Sequence, residues 1–233
     1  MKHIQMIHYE PNTPMIVWCT HRSLQNGSAD ISGISEQEAN HMTECIEAVG
    51  ISHYSLCAYP ADDWNADYSP WPSLHPMDSS AFAGNGSRTK EIIYSEIMEM
   101  QRDLQVSEWI LTGYSLAGLF VLWAGLSCDI INGIICCSGS LWYEGFTDYL
   151  EGLEVKHEKC VYLSLGGKEK RTANPVMRTI EDKTRETADI LKRKTGIRKV
   201  CFSLKSGGHF ADGCKRIANG IEWMMNKQQI LQK

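Results

Sequence analysis

The sequence has no long apolar run, no long basic run, no internal repeat and no low-complexity segment. A membrane-spanning helix needs about 20 consecutive apolar residues, so we expect no membrane span. The formal net charge of −5, with both signs mixed along the chain, disfavours nucleic acid and anionic membranes as partners. The first residues also lack the apolar core and cleavage site of a secretory signal. We therefore expect a cytoplasmic protein.

Motifs for metal binding and for disulfide pairing are missing as well. The nine cysteines include no CxxC pair, and the eight histidines form no HxH or HExxH motif. Most cysteines stand inside apolar runs, which is typical of small buried hydrophobic side chains rather than of a disulfide framework or a zinc site. These are Cys19, Cys57, Cys136, Cys137, Cys160 and Cys201. We expect no metal and no cofactor.

Short β-rich runs alternate with longer segments of helical period, which is typical of βαβ units and a mostly parallel sheet. We predict an α/β fold, with one domain over residues 1–233 and a central sheet flanked by helices. The predicted strands cover residues 4–8 (an edge strand), 15–20, 51–58, 107–112, 131–137, 160–165 and 199–204. The first predicted helix opens with a capping box of Ser35 and Glu38 and ends at Gly50. The others cover residues 89–105, 116–126, 146–153, 175–194 and 212–226, and residues 59–86 form a long irregular stretch.

A serine stands where a predicted strand meets an apolar helix, in the stretch Gly113-Tyr114-Ser115-Leu116-Ala117-Gly118. A nucleophilic serine needs such a sharp strand-to-helix turn with small neighbours, because the turn is strained and the helix approaches closely. Ala117 stands where the usual GxSxG pattern has its second glycine, so the motif is imperfect. We predict Ser115 as the nucleophile of an α/β-hydrolase; the alternative is a plain turn of small residues.

The partners of such a serine are expected after later strands, first Asp or Glu and then His. Glu169 follows the predicted strand 160–165, and His209 follows the predicted strand 199–204 after two glycines. A histidine base activates the serine, and a carboxylate orients the histidine. We therefore predict Ser115, His209 and Glu169 as catalytic residues.

Alternatives remain for both partners. His209 can instead be a loop histidine that caps the last helix, whereas His157 lies in a charged stretch and is expected to be solvated. Glu169 can instead belong to a surface charge run over residues 168–171, and Glu144 and Asp148 then compete for the role of the acid.

Two backbone N–H groups are expected to bind the oxyanion of the reaction. One donor is predicted at Leu116, directly after the nucleophile. The other should follow the strand 15–20, where the candidates are His21, Arg22 and Ser23, and we assign it to Arg22. His21 itself is expected to be structural or to line the pocket.

Five segments together resemble the esterase family of α/β-hydrolases that includes esterase D and the enterochelin esterases, in particular its small bacterial members. They are Asp62-Asp63-Trp64-Asn65-Ala66-Asp67 with Ser69-Pro70-Trp71, the Ser115 stretch, Ser138-Gly139-Ser140-Leu141-Trp142-Tyr143, Ser164-Leu165-Gly166-Gly167-Lys168-Glu169 and Gly207-Gly208-His209. The resemblance implies a Ser–His hydrolase of carboxylic esters in which Trp64, Asn65 and Trp142 line the substrate pocket. Some enterochelin-esterase relatives work largely as a Ser–His pair, and the tryptophans can alternatively be core or loop anchors.

The sequence thus predicts a serine esterase that works through an acyl-enzyme intermediate. The expected partner is a small-molecule ester, and a homo-oligomer is left open. Two other interpretations are an acyltransferase or thioesterase with the same residues, and an inactive hydrolase fold kept as a binding module. The family's substrates range over siderophores, sugar esters and glutathione thioesters, so the resemblance sets a reaction class rather than one substrate.

Overall fold

A seven-stranded sheet runs through the computed structural model of the chain, which describes residues 3–22, 33–76 and 81–231. The strands are β1 (Gln5–His8), β2 (Thr13–His21), β3 (Ser55–Ala61), β4 (Ser73–Leu74), β5 (Ala81–Phe82), β6 (Val106–Tyr114), β7 (Ile131–Cys137), β8 (Lys159–Gly166) and β9 (Ile197–Lys205). The helices are α1 (Glu36–Ala48), α2 (Trp64–Asp67), α3 (Gly86–Asp103), α4 (Leu116–Leu126), α5 (Phe146–Gly152), α6 (Ile180–Lys192) and α7 (Gly213–Leu231).

The strands of the large sheet lie in the order β1-β3-β2-β6-β7-β8-β9. All neighbours pair in parallel except β1, which pairs antiparallel with β3 at one edge. The predicted α/β class, with a mostly parallel sheet between helices, is confirmed, and so is the edge position of the first strand. Parallel strands bring their carboxyl ends to one side of the sheet, and ligands bind there in α/β folds.

Both faces of the sheet are buried, as the apolar runs of the strands predict. Successive side chains of β2 point to opposite faces: Met15 and Val17 pack in the cluster that contains α4, and Ile16 and Trp18 pack in the cluster of α1 and α7. Helix α4 lies deepest, with all of its residues buried. A helix that is buried on every side needs apolar residues on every side, and this explains why the α4 sequence is apolar all round.

The predicted capping box at the start of α1 is present. The Ser35 hydroxyl accepts the N–H of Glu38 at 3.3 Å, and a Glu38 carboxylate oxygen accepts the N–H of Ser35 at 3.1 Å. These two bonds satisfy backbone donors that have no partner within the helix.

Most predicted boundaries differ from the structure by a few residues, and three of the differences have a clear local cause. Strand β3 starts at Ser55 rather than at residue 51 and runs on through Pro60, which lies beyond the last residue paired with β1, so its missing N–H removes no bond on that side. The stretch 59–86 contains α2 and the β4–β5 hairpin instead of irregular structure alone. The helix predicted from residue 175 begins as a 3₁₀ turn, Met177–Thr179, and becomes α6 at Ile180, because the Asn174 side chain accepts the N–H groups of Val176 and Met177.

All nine cysteines lie in the described residues and none forms a disulfide, which agrees with the prediction of unpaired thiols. Seven are buried, whereas Cys201 and Cys214 are partly accessible. Within residues 3–22, 33–76 and 81–231, no helix is long and apolar enough to cross a lipid bilayer.

The edge strand β9 carries exposed charged residues. Arg198 and Lys199 are exposed, and the Lys199 ammonium lies 5.4 Å from the ring centre of Trp223. Arg185 of α6 similarly lies over the Phe202 ring at 5.0 Å. Cations thus cover the apolar rings beside this edge.

We expect Ser35→Ala to lower the free energy of unfolding by about 1 kcal/mol, because the N-cap hydroxyl is lost. In a chain of this size that corresponds to a fall in Tm of roughly 2–4 °C. Urea titration and a thermal melt measure both. Ser95→Ala, on the exposed side of α3, is the matched control and should cause no loss. Equal stability of Ser35→Ala and wild type would show that the capping box contributes nothing.

Candidate active site

Ser115 occupies a strained turn between β6 and α4. Its backbone has φ 57° and ψ −123°, a region that a non-glycine residue enters at a cost of about 1–3 kcal/mol. Two backbone hydrogen bonds hold the turn: the Ser115 N–H donates to Cys137 O at 3.0 Å, and the Ser140 N–H donates to Ser115 O at 3.0 Å. The surrounding loops therefore maintain a conformation that projects the serine from the carboxyl edge of the sheet.

The small residues around Ser115 are required by close backbone approach. A Cβ atom on Gly113 would lie 2.4 Å from Ala117 O, and one on Gly118 would lie 3.0 Å from the Cα of Gly139. Ala117 is fully buried without any such conflict. Glycine is therefore required at position 113, which lies against α4, and at position 118, where α4 lies against the loop after β7.

The structure brings the three predicted catalytic residues into one hydrogen-bonded chain. His209 Nε2 lies 3.0 Å from Ser115 Oγ, and His209 Nδ1 lies 2.8 Å from Glu169 Oε2. Ser115, Glu169 and His209 follow β6, β8 and β9, whose carboxyl ends meet at one edge. An ionised carboxylate can only accept hydrogen bonds, so the imidazole nitrogen that faces Glu169, Nδ1, carries the proton. Nε2 is then unprotonated and can accept the serine proton.

Glu169 is a buried carboxylate surrounded by hydrogen-bond donors, and it is not part of a solvated charge run on the surface. Its side chain is only 4% exposed. Oε1 accepts the Ser138 hydroxyl at 2.8 Å, the Gly166 N–H at 2.6 Å and Arg216 Nη1 at 2.7 Å. Burial acts to raise the pKa of Glu169, but the hydrogen bonds from His209, Ser138 and Gly166 outweigh it and hold the pKa below its ordinary value. The carboxyl group is therefore ionised at neutral pH.

Glu144 and Asp148, the alternative candidates for the acid, lie outside the hydrogen-bonded chain of Ser115, His209 and Glu169. Glu144 is exposed and accepts the Ser73 hydroxyl at 3.3 Å, and Asp148 is exposed on α5. His157 is paired with Asp129 at 3.2 Å, with a half-exposed side chain. Only Glu169 among these carboxylates contacts His209.

Three residues of the site were missed by the sequence analysis: Ser138, Tyr114 and Arg216. The Tyr114 hydroxyl donates to His209 O, and the Ser138 hydroxyl donates to Glu169. Arg216 is only 2% exposed although it is charged. One signal was available, because Arg216 stands four residues before Gly220 and eight before the buried Met224, in line with the buried stripe of α7.

A cavity of about 460 Å³ opens beside Ser115, a volume typical of small-molecule sites. Trp64, Asn65 and Trp142, which the family resemblance predicts as pocket residues, all line it. The Asp63 carboxylate accepts the N–H groups of Asn65 and Ala66 and so caps the short helix α2 that carries Trp64. Further walls come from His75, Phe82, Ser140, Thr172, Met177 and Ile180, and from Phe210, which is 99% exposed at the mouth.

The prediction that Arg22 supplies the second oxyanion donor is wrong for this conformation. The Arg22 N–H donates to Ala61 O of β3 at 3.2 Å, so it points away from Ser115. Successive N–H groups of a strand point to opposite sides in the plane of the sheet, so the N–H of His21 points to the side of β2 that is opposite β3. Ser23 lies outside the described residues. Leu116, the other predicted donor, lines the cavity and is the first residue of α4, where an N–H has no acceptor within the helix.

No protein-family model matches the chain. One curated protein, the uncharacterized protein YbbA of Bacillus subtilis (strain 168), is 27% identical over 178 residues, which span 70% of this chain and 70% of that protein.

Solved structures share the fold. An IroE-like serine hydrolase from Shewanella oneidensis superposes with a TM-score of 0.73 at 14% identity, over 95% of this chain and 76% of the other. The siderophore hydrolase EstA from Aspergillus nidulans gives 0.67 at 16% identity, over 92% and 83%. The BES protein from Bacillus cereus gives 0.60 at 14%, over 95% and 94%. At these identities the likeness shows the fold, and it agrees with the resemblance that the motifs indicate.

We expect Gly113→Ala to destabilise the protein by about 1–3 kcal/mol, because the new methyl group collides with backbone atoms of α4 that have no room to move. Gly152→Ala, at the end of α5, is the matched control, since nothing lies within 4 Å of its added methyl group. Denaturant unfolding of both variants measures the difference. Equal stability of the two variants would contradict the close approach.

The depressed pKa of Glu169 predicts a pH-dependent part of the stability. A carboxyl group whose pKa is lower in the folded than in the unfolded chain stabilises the fold above its ordinary pKa, about 4.5, and this contribution is lost as the pH falls through the lower folded value. We expect Glu169→Gln to cost about 3–5 kcal/mol at pH 7, because it leaves Arg216 without its counter-charge, and less at acid pH.

Urea unfolding from pH 7 down to pH 3 measures this difference. Glu99→Gln, an exposed carboxylate of α3, is the control and should follow the wild type. A Glu169→Gln deficit that stays constant over the whole pH range would contradict the assigned protonation.

Proposed function

We propose that the protein is a serine hydrolase that cleaves carboxylic esters, and that it belongs to the family of esterase D and the enterochelin esterases. The hydrogen-bonded chain Ser115–His209–Glu169 at the wall of a 460 Å³ cavity carries this proposal. The shared fold adds support, because solved structures of that fold include the enterobactin and salmochelin hydrolase IroE at a TM-score of 0.54 and 16% identity.

The reaction starts with proton transfer from the serine. His209 Nε2 removes the proton of Ser115 Oγ across their 3.0 Å contact while Oγ attacks the ester carbonyl carbon. The imidazolium that forms then protonates the departing alcohol, and the acyl group stays on Oγ. Water, deprotonated by the same nitrogen, releases the acid and restores the serine.

Glu169 keeps the imidazole oriented throughout this cycle. Its ionised carboxylate accepts Nδ1–H at 2.8 Å and stabilises the imidazolium. The proton stays on the imidazole, because the donors around Glu169 hold the pKa of its carboxyl group low.

The negative charge of the tetrahedral intermediate falls on the carbonyl oxygen and requires N–H donors. The N–H of Leu116, at the start of α4, supplies one, and the positive end of that helix adds to it. The N–H of His21, on the side of β2 opposite β3, is the candidate for the second among the described residues.

The cavity walls determine what reaches Ser115. Trp64 and Trp142 offer apolar surface for the acyl or the alcohol part, and the amide of Asn65 offers a donor and an acceptor. A small, mostly apolar ester fits such walls.

We expect Ser115→Ala to reduce hydrolysis of a p-nitrophenyl ester of a short acid by about 10⁴-fold or more, because the nucleophile is lost. The wild type should show a burst of p-nitrophenol and should take up a fluorophosphonate on Ser115. Ser95→Ala on α3 is the control and should retain wild-type kinetics.

Equal slow rates for wild type and Ser115→Ala would contradict ester hydrolysis at this serine. Absence of a fluorophosphonate adduct would favour an inactive binding module. Transfer of the acyl group to an added alcohol, in preference to water, would favour an acyltransferase.

A further inference from the structure

Arg216 is a buried cation behind the proposed catalytic residues. It projects from the first turn of α7 and is 2% exposed, and the Glu169 carboxylate that faces it is 4% exposed. A charge this deeply buried persists only when it is paired and hydrogen-bonded. What the guanidinium contacts therefore indicates why it is there.

The guanidinium contacts the last residue of one strand, β6, and the loops after the next three strands of the sheet. Nη1 lies 3.1 Å from Tyr114 Oη at the end of β6, 2.6 Å from Ser138 Oγ after β7 and 2.7 Å from Glu169 Oε1 after β8. Nη2 lies 2.8 Å from Gly208 O and 3.3 Å from Ser206 O, both after β9. One side chain thus joins the loops that carry the serine, the acid and the histidine.

We propose that Arg216 is a positioning residue that holds Glu169 and the His209 loop in register with Ser115 and whose charge balances that of Glu169. This inference rests on the proposed esterase function. It adds to the Ser–His–Glu site a cation that touches neither substrate nor the reacting atoms.

The carboxylate geometry supports the positioning role. Oε1 receives Arg216, the Ser138 hydroxyl and the Gly166 N–H, which leaves Oε2 to accept from His209 alone. The same guanidinium binds Gly208 O, next to His209, and the Tyr114 hydroxyl, which donates to His209 O. Both ends of the Glu169–His209 contact are therefore fixed by one group.

The charge balance follows from the groups that surround His209. Glu169 comes from the loop after β8, Tyr114 from β6 and Arg216 from α7, while Lys168 lines the same cavity and Asp212 lies in the His209 loop. Glu169 and Arg216 cancel in net charge, so the imidazole sits beside a neutral pair. Removal of Arg216 leaves the carboxylate unbalanced, which raises the proton affinity of the Glu169–His209 pair whichever member holds the proton.

The experiment compares Arg216→Met and Arg216→Lys with wild type through pH profiles of kcat/KM for the p-nitrophenyl ester. His209 acts as a base only when it is unprotonated, so activity falls as the pH is lowered. In Arg216→Met we expect this acid limb to move upward by roughly one pH unit or more. In Arg216→Lys we expect the limb to stay at the wild-type pH, while kcat falls about 10- to 100-fold at unchanged KM, because an ammonium group cannot span five acceptors.

An acid limb that stays at the wild-type pH in Arg216→Met would overturn the inference, since a purely structural arginine lowers activity without moving it. If Arg216→Met does not fold, Arg216→Lys decides: wild-type kcat overturns the positioning role, and a lower kcat at unchanged KM supports it. Arg185→Met, an exposed arginine of α6 paired with Glu181, is the matched control and should retain the wild-type profile.

Failure of the proposed function is recognised separately, on the wild type. A wild-type protein without ester hydrolysis and without a fluorophosphonate adduct removes the proposed function, and this inference falls with it. An active wild type with an unshifted Arg216→Met profile removes only the inference.

Discussion

The contact between α4 and the loops at the carboxyl edge of the sheet is the constraint on which the rest of the site depends. Backbone meets backbone at Gly113 and Gly118, with no space for a side chain. This contact forces Ser115 into its strained conformation and places the start of α4, with its free N–H groups, directly beside the serine. Burial of every α4 side chain supplies apolar stabilisation that offsets the strain.

The sequence predicts most of the fold because its signals are local. The run 116–126 is apolar along its full length and the run 131–137 is apolar apart from Asn132, and the structure assigns the helix α4 and the strand β7 to the same residues. Ser115, Glu169 and His209 were predictable together because strand ends carry them in a fixed order. What brings them within hydrogen-bond distance is the parallel arrangement of β6, β8 and β9.

The parts that were missed depend on contacts distant in sequence. The helical spacing of Arg216 indicates that it is buried, but its contacts with Glu169 and Ser138, 47 and 78 residues away, follow from no pattern along the chain. The error at Arg22 has the same origin, since its backbone N–H finds its acceptor, Ala61 O, on β3, a strand that is distant in sequence. Short elements such as α2 depend on single capping residues, here Asp63, within a segment rich in turn-forming residues.

The charged residues of β9 have a consequence for self-association. An edge strand offers unpaired N–H and C=O groups to any other strand, and lysine and arginine on that edge oppose such pairing. Arg198 and Lys199 are exposed along β9, while β1 at the opposite edge spans only four residues. Continuation of the large sheet from one copy into the next is therefore disfavoured at both of its edges.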